Sequence, residues 1–208
     1  MVKKPEIIIR EFQSKDLEQV SNLLAFSFID DYKKIVSLPE DQLINFIVEA
    51  GEVPLFPFPG YLVVEENGVV IAVMILRWSK QNAPRSKLKL SRILNYGLLT
   101  TFKVLVMRYL FSWDNPKKGT CHVAVLAVKL NTRRRGVATK LLEYGKEFAI
   151  NKGLNKYTLN VDVTNNGAVD LYKKAGFQII KMRRNMLAKW LFDEDAWYYM
   201  GQSIDSGA

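Results

Sequence analysis

The 208-residue chain has one cysteine, Cys121, and one histidine, His122. A lone thiol excludes an internal disulfide and suits a reducing compartment. With a lone imidazole beside it, no Cys/His/carboxylate cluster at metal-ligand spacing can be drawn, so no metal is expected. No stretch of about eighteen apolar residues occurs, which argues against a membrane span. The opening MVKKPEIIIREF lacks the apolar region and cleavage site of a signal peptide, pointing to the cytoplasm. The basic turn at 133–138 has one glycine where a dinucleotide fingerprint needs three, and no Gly-Lys-Ser/Thr follows to mark a P-loop. Repeats and low-complexity linkers are absent too, so 1–208 reads as one domain large enough to bury a sizeable core.

Acidic residues are almost missing from one segment. Between Arg77 and Lys118 ten Lys/Arg face Asp114 alone, a net of +9, which is the formal charge of the whole chain. Charge arguments therefore concern this segment only. It overlaps a basic insertion at 79–116 that is apolar and helical in spacing, interrupted near Gly97. Lys103 and Arg108 break its apolar run. Two readings compete: a helical lid that packs on the domain and lines a pocket, or a basic amphipathic element on an anionic membrane surface. The lid is preferred, because most such stripes are buried by their own fold.

The rest of the chain reads as short alternating elements. Glu6 to Phe12 is β-rich. Ser14 is the expected N-cap of a helix from Lys15 to about Ile29, with Asp16 in its first turn. A second helix is expected from Pro39 to Ala50, and then a proline-broken loop. Tyr61–Glu66 and Val69–Arg77 flank Asn67-Gly68, a strong hairpin signal. Cys121–Val128 reads as a strand, Arg135–Lys152 as a helix stopped by Gly153, and Tyr157–Val163 as a strand. Asn165 opens a short helix ended by Gly176. Strands are expected at Phe177–Met182 and Trp197–Ile204.

One junction carries chemistry. Arg133, Gly136 and Ala138 form R-x-x-G-x-A where a strand gives way to a helix. Backbone N–H groups at a helix start lack intrahelical partners and the dipole there is positive, so an anion fits. Glycine lets a ligand approach the backbone, and Arg133, Arg134 and Arg135 add guanidinium forks suited to phosphate oxygens. Alone, the motif is short enough to be an ordinary basic loop capped by a helix.

With its surroundings it is more. The strand Leu126-Ala127-Val128 and R-x-x-G-x-A are followed, one helix and one strand later, by Asn165-Asn166-Gly167-Ala168 and Leu171-Tyr172-Lys173-Lys174-Ala175-Gly176-Phe177. This order resembles the GCN5-related N-acetyltransferase (GNAT) superfamily, closely over about Gly119 to Lys181. The chain departs from it at Leu130, where the family often has proline, and at Arg134, where it often has glycine. The resemblance implies a mixed α/β (α+β) fold: a mostly antiparallel twisted sheet of six or seven strands flanked by helices. Parallel strands ending at Val128 and Val163 would splay around acetyl-CoA. It implies that Leu126, Ala127 and Val128 pair with the pantetheine arm, and that Arg133, Arg134, Arg135, Gly136, Val137, Ala138 and Thr139 hold the pyrophosphate. Asn165 would lie near the pantetheine. Tyr172 would be the general acid that protonates the leaving sulfur. His122 stands where histone acetyltransferases of the superfamily carry a glutamate base and aralkylamine members a histidine. It is the candidate base, although a strand histidine is also commonly a packed residue. Cys121 and His122 point to opposite strand faces and cannot form a dyad.

The expected function is N-acetyl transfer from acetyl-CoA to a primary amine in a ternary complex, with a small molecule or protein as acceptor. A non-catalytic protein binding nucleic acid or an anionic surface through the basic insertion is the alternative, and a longer acyl donor is a variant of the first. The cationic segment argues mildly against a polycationic acceptor. The sequence leaves the acceptor and the oligomeric state open.

Overall fold

The computed structural model describes residues 7–50, 53–81, 88–111, 116–193 and 196–204. The parts of the basic insertion at 82–87 and 112–115 lie outside the described residues. In chain order the elements are β1 (Ile7–Glu11), α1 (Leu17–Ser27), α2 (Ile29–Lys33), α3 (Glu40–Glu49), β2 (Tyr61–Glu66), β3 (Val69–Trp78), α4 (Leu90–Ile93) and α5 (Leu98–Phe111). They continue with β4 (Thr120–Val128), α6 (Val137–Asn151), β5 (Lys156–Asp162), α7 (Asn166–Lys174), β6 (Gln178–Arg184), α8 (Met186–Phe192) and β7 (Ala196–Ser203).

The seven strands form one sheet in the order β1-β2-β3-β4-β5-β7-β6. Every neighbouring pair is antiparallel except β4 and β5. This is the mixed, mostly antiparallel sheet expected from the sequence. Period-two alternation gives it an apolar lining on both faces. Tyr61, Val63, Val73 and Ile75 face one core with Val20 and Leu24 of α1, Phe46 of α3, Val104 of α5 and Leu191 of α8. Leu62, Val64, Met74, Cys121 and Val123 face the other, with Leu141 and Leu142 of α6 and Tyr172 of α7. The sheet is thus sandwiched between two helical layers.

Local signals explain most of the elements. Asn67 and Gly68 both take positive φ, 51° and 82°, as a two-residue turn with the twist of its strands requires. Asn185 accepts from Leu187 N–H at 3.0 Å and Ala188 N–H at 3.1 Å and so starts α8, a helix not expected from the sequence. The short α2 was not expected either. Pro39 sits at the N-cap of α3, just outside the helix.

Ser14 is not the N-cap of the first helix. It opens a 3-10 turn (Ser14–Asp16) leading into α1, and the fully buried Asp16 closes that turn by accepting Gln13 N–H at 2.8 Å. Arg10 of β1 decides the matter. Its two terminal nitrogens donate to Asp16 at 2.6 and 2.8 Å, and the same guanidinium bonds Glu65 of β2. A carboxylate held by a half-buried arginine outcompetes an exposed serine hydroxyl as a cap.

The insertion packs on its own domain. Lys89 N–H donates to the Glu49 carbonyl at 2.9 Å, Arg92 pairs with the Glu49 carboxylate at 2.9 Å, and Tyr96 packs edge-on against Phe46. Lys103 Nζ donates to the Lys34 carbonyl at 2.6 Å, and Arg108 to the Ala50 carbonyl at 2.9 Å. These two carbonyls belong to the C-caps of α2 and α3, where orphan acceptors and the negative dipole end attract cations. The inner face of α5 is thus packed on the domain. The stripe as a whole is not buried, because the outer face of α5 is apolar and exposed.

Candidate active site: a splayed strand pair and a helix N-terminus

β4 and β5 pair only over Thr120–Val123 and Lys156–Leu159. Beyond that point β4 runs on to Val128 and β5 to Asp162 without each other. β4 keeps its pairing to β3 on the other side as far as Val128, and β5 keeps its pairing to β7. The divergence coincides with a register shift against β3, where Val123 and Val125 face adjacent residues and Ala124 is the extra one. A bulge bends its strand, and here it turns β4 away from β5.

The open edge of β4 carries main-chain groups. Lys129 N–H donates to the Ile71 carbonyl, toward β3. Strand alternation then turns the N–H and C=O groups of Leu126 and Val128 to the open side, and Ala127 toward β3. Of the three expected strand residues, two therefore present backbone to the cleft. Ala127 instead buries its methyl in the opposite core.

Past Val128 the chain makes a tight turn into α6. Arg134 has φ 63° and Gly136 φ 77°, so two left-handed residues reverse the chain within three positions. The resemblance marks glycine as common at Arg134, and the backbone there does take the glycine-type conformation, with an arginine side chain. Gly136 is the N-cap of α6, and no side chain caps that helix. Lys140 N–H is bonded to the Gly136 carbonyl, whereas Val137, Ala138 and Thr139 N–H precede this first intrahelical donor. Their side chains differ: Val137 is buried in the core, while Ala138 and Thr139 are half-buried.

The arginines are not equivalent. Arg133 lays its Nε 3.1 Å from the Val128 carbonyl, so it spans the end of the cleft. Arg135 forms a bidentate pair with Glu66 of the β2–β3 hairpin, one arm at 3.1 Å. Glu66 thereby shares in the loop, which sequence spacing did not show, because the partners are 69 positions apart. Arg134 is exposed. Asn165 opens α7 by accepting Ala168 N–H at 3.1 Å, which leaves its amide NH₂ as a donor.

Tyr172 is buried on the α6 face, in the cluster that also gathers Leu126 and Val128, with its ring edge-on to Phe177 at 6.0 Å. Burial pushes its hydroxyl up to about 12, so it is fully protonated at neutral pH. His122 lies on the opposite face of the sheet and is also buried. Its Nδ1 is 2.9 Å from Thr158 Oγ1, and its Nε2 is 3.4 Å from Asn160 Nδ2. Thr158 Oγ1 donates in turn to the Cys121 carbonyl at 3.4 Å, a chain satisfied when Nδ1 carries the proton. Burial, and secondly Arg183, pull the imidazole down to about 4, so it is neutral at pH 7. Thr158 and Asn160 were not singled out from the sequence. Their signal is the polar half of the alternation in Tyr157-Thr158-Leu159-Asn160-Val161.

Lys181 and Arg183 lie over the Tyr199 ring at 5.8 and 5.1 Å, and that ring stacks with His122 at 6.4 Å. Cys121 points into the α6-side core, and burial raises its thiol to about 12, far from a reactive thiolate. Among the described residues no group of three or more His, Cys, Asp or Glu gathers to hold a metal ion.

A family model described as "Acetyltransferase (GNAT) family" matches residues 22–177. "GCN5-related N-acetyltransferase 4, chloroplastic" of Arabidopsis thaliana is 30% identical over 193 residues, 86% of this chain and 62% of that protein. The chain thus spans less than two thirds of that relative's length. The ribosomal-protein-S18-alanine N-acetyltransferase of Escherichia coli shares the fold with a TM-score of 0.56 at 16% identity, covering 98% of this chain and 97% of that one. The PaiA N-acetyltransferase of Thermoplasma acidophilum, solved in complex with coenzyme A, gives 0.55 at 15%, covering 95% and 99%. With the family model matched from α1 through α7, across both the splayed strands and the Tyr172 helix, the chain belongs to the GNAT acetyltransferase family.

Proposed function

We propose that the protein is an N-acetyltransferase that moves the acetyl group of acetyl-CoA directly to a primary amine in a ternary complex. The observation that carries this reading is the open edge of β4, which starts at the Ala124 bulge and ends at the uncapped N-terminus of α6. A donor with an amide-bearing arm and a pyrophosphate needs that pairing of groups: an exposed strand edge, then backbone N–H groups with arginine beside them.

Acetyl-CoA supplies the activated thioester. The residues present fit it. Leu126 and Val128 offer N–H and C=O to the arm and an N–H to the carbonyl oxygen as charge develops. Val137, Ala138 and Thr139 N–H, with Arg133 and Arg134, face the pyrophosphate; Arg135 acts on it indirectly, by holding the loop to Glu66. Asn165 directs its free NH₂ to the arm. Tyr172 keeps its hydroxyl proton until the sulfur leaves and then hands it over. His122, neutral at pH 7, is the candidate to take the amine proton directly or through water, a role that requires Asn160 to release its Nε2.

The acceptor is a small-molecule or protein amine. Among fold neighbours, the E. coli enzyme acts on an alanine of ribosomal protein S18, as its name states. Arg183 and Lys181 beside the His122 face favour an acidic, aromatic or zwitterionic amine over a polycation. A single buried cysteine is consistent with a reducing compartment, in the simplest case the cytoplasm. The Arabidopsis relative is chloroplastic by name, and imaging a tagged full-length protein decides between the two.

The test is calorimetric titration with acetyl-CoA, followed by an amine screen read by thiol release. Wild-type binding that weakens about tenfold in Arg133→Ala, the loss of one charge-assisted contact, supports the reading. Absence of binding in the wild type overturns it.

A further inference from the structure

α5 is amphipathic in an inverted sense. Its cations turn inward, Lys103 and Arg108 onto the carbonyl ends of α2 and α3, beside the buried Thr101 and Val104. Outward stand Leu98, 80% exposed, with Leu99, Phe102 and Tyr109. α8 packs beside α5 and extends the same apolar surface with Met186 and Trp190, 81% and 76% exposed. Scattered exposed apolar side chains are ordinary, but a set spread over two adjoining helices marks a surface that is covered in use.

Charge identifies the cover. The segment bearing α4 and α5 holds the chain's entire net charge of +9. Arg92, Lys103 and Arg108 have protein partners; exposed Lys89 adjoins α4, and exposed Lys117 and Lys118 follow α5. Phe, Tyr and Trp on an apolar stripe, with exposed lysines in the segments flanking α4 and α5, match the requirements of a headgroup boundary. No helix among the described residues is long and apolar enough to cross a membrane, so contact would be from one side. We propose that the α5–α8 face docks on an anionic lipid bilayer, with its apolar side chains at the acyl boundary and its lysines against headgroup phosphates. A second copy of the chain fits less well, because a two-fold interface would set two +9 segments against each other. Val104 of α5 and Leu191 of α8 lie in one core and α6 in the other, so a docked molecule keeps the α6 N-terminus on the far side of the sheet.

The test is co-sedimentation with vesicles of phosphatidylcholine alone and of phosphatidylcholine with phosphatidylglycerol. Binding to the mixed vesicles only, weakened by salt, is expected. Leu98→Asp and Trp190→Ser should each weaken it at least about tenfold, the order expected when one large apolar contact is lost. Both positions are exposed, and unchanged thermal unfolding of the variants verifies that they fold. Equal binding to both vesicles, no binding, or a concentration-dependent dimer dissolved by Leu98→Asp overturns the proposal. Acetyl-CoA plays no part in this readout, so its outcome is independent of the calorimetric one.

Discussion

His122 is held between Thr158 and Asn160 with both ring nitrogens engaged, in surroundings that admit the neutral imidazole and resist the charged one. The ring titrates near 6.5 in an unfolded chain and near 4 in the fold. Below about 6.5 the unfolded state takes up a proton that the folded state refuses. The stability from keeping the ring neutral is therefore complete above 6.5 and is lost as pH falls toward 4. By about pH 4.5 the loss amounts to about 2–3 kcal/mol, and urea unfolding of His122→Gln beside the wild type should show that much less acid sensitivity in the variant. Activity offers a second reading of the same residue. If His122 keeps its low basicity during turnover, His122→Ala leaves the pH–rate profile unchanged in shape above about pH 6. An ascending limb near neutrality that vanishes in the variant would instead make it a base whose affinity for protons rises with substrate bound. Tyr172 is the cleaner case. Tyr172→Phe retains the edge-on packing with Phe177 and removes only the hydroxyl, so kcat should drop by about a hundredfold or more while acetyl-CoA affinity holds, measured by steady-state kinetics and calorimetry.

The docking of α6 on the sheet depends on a missing side chain. A Cβ at Gly145 would come within 2.6 Å of the Met74 methyl and closer still to the Tyr157 hydroxyl. Alanine would favour the helix by about 1 kcal/mol but overpack this contact by about 1–3 kcal/mol. Gly145→Ala should therefore lower stability by roughly 1 kcal/mol, seen as a shifted denaturation midpoint with an unchanged slope. It should also weaken acetyl-CoA binding, because α6 carries the loop at its N-terminus. The same scale separates legible from illegible elements. Asn67-Gly68 dictates its turn chemically, and the alternation of β5 or the helical period of α6 repeats often enough to read. α2 and α8, of five and seven residues, are too short for a period to emerge, and only the Asn185 cap announces α8. The capping role passed from Ser14 to Asp16 because Arg10, six positions upstream and steadied by Glu65 across the β1–β2 pairing, holds the carboxylate.

Across the whole molecule, the cleft was readable through the paired motifs around Gly136 and Tyr172, but the device that opens it was not. Ala124 is an unremarkable residue in an apolar run, and its bulge exists only against β3. Glu66 likewise joined the site through tertiary structure alone. The basic insertion shows the converse problem, a plain signal with two meanings. Counted along the chain its cations read as a surface for anions, yet Lys103 and Arg108 serve as caps for α2 and α3. If they clamp the insertion to the domain, replacing them should free it without melting the sheet. Lys103→Gln with Arg108→Gln should cost about 1 kcal/mol per contact, the worth of a cation at a helix C-terminus. Hydrogen exchange should then quicken in α5 and at the ends of α2 and α3, while amides of β4, β5 and α6 stay protected. Uniform quickening through both cores would mean that the insertion is part of the cooperative fold. Protection unchanged in α5 would mean that Val104 and its apolar neighbours hold the helix alone.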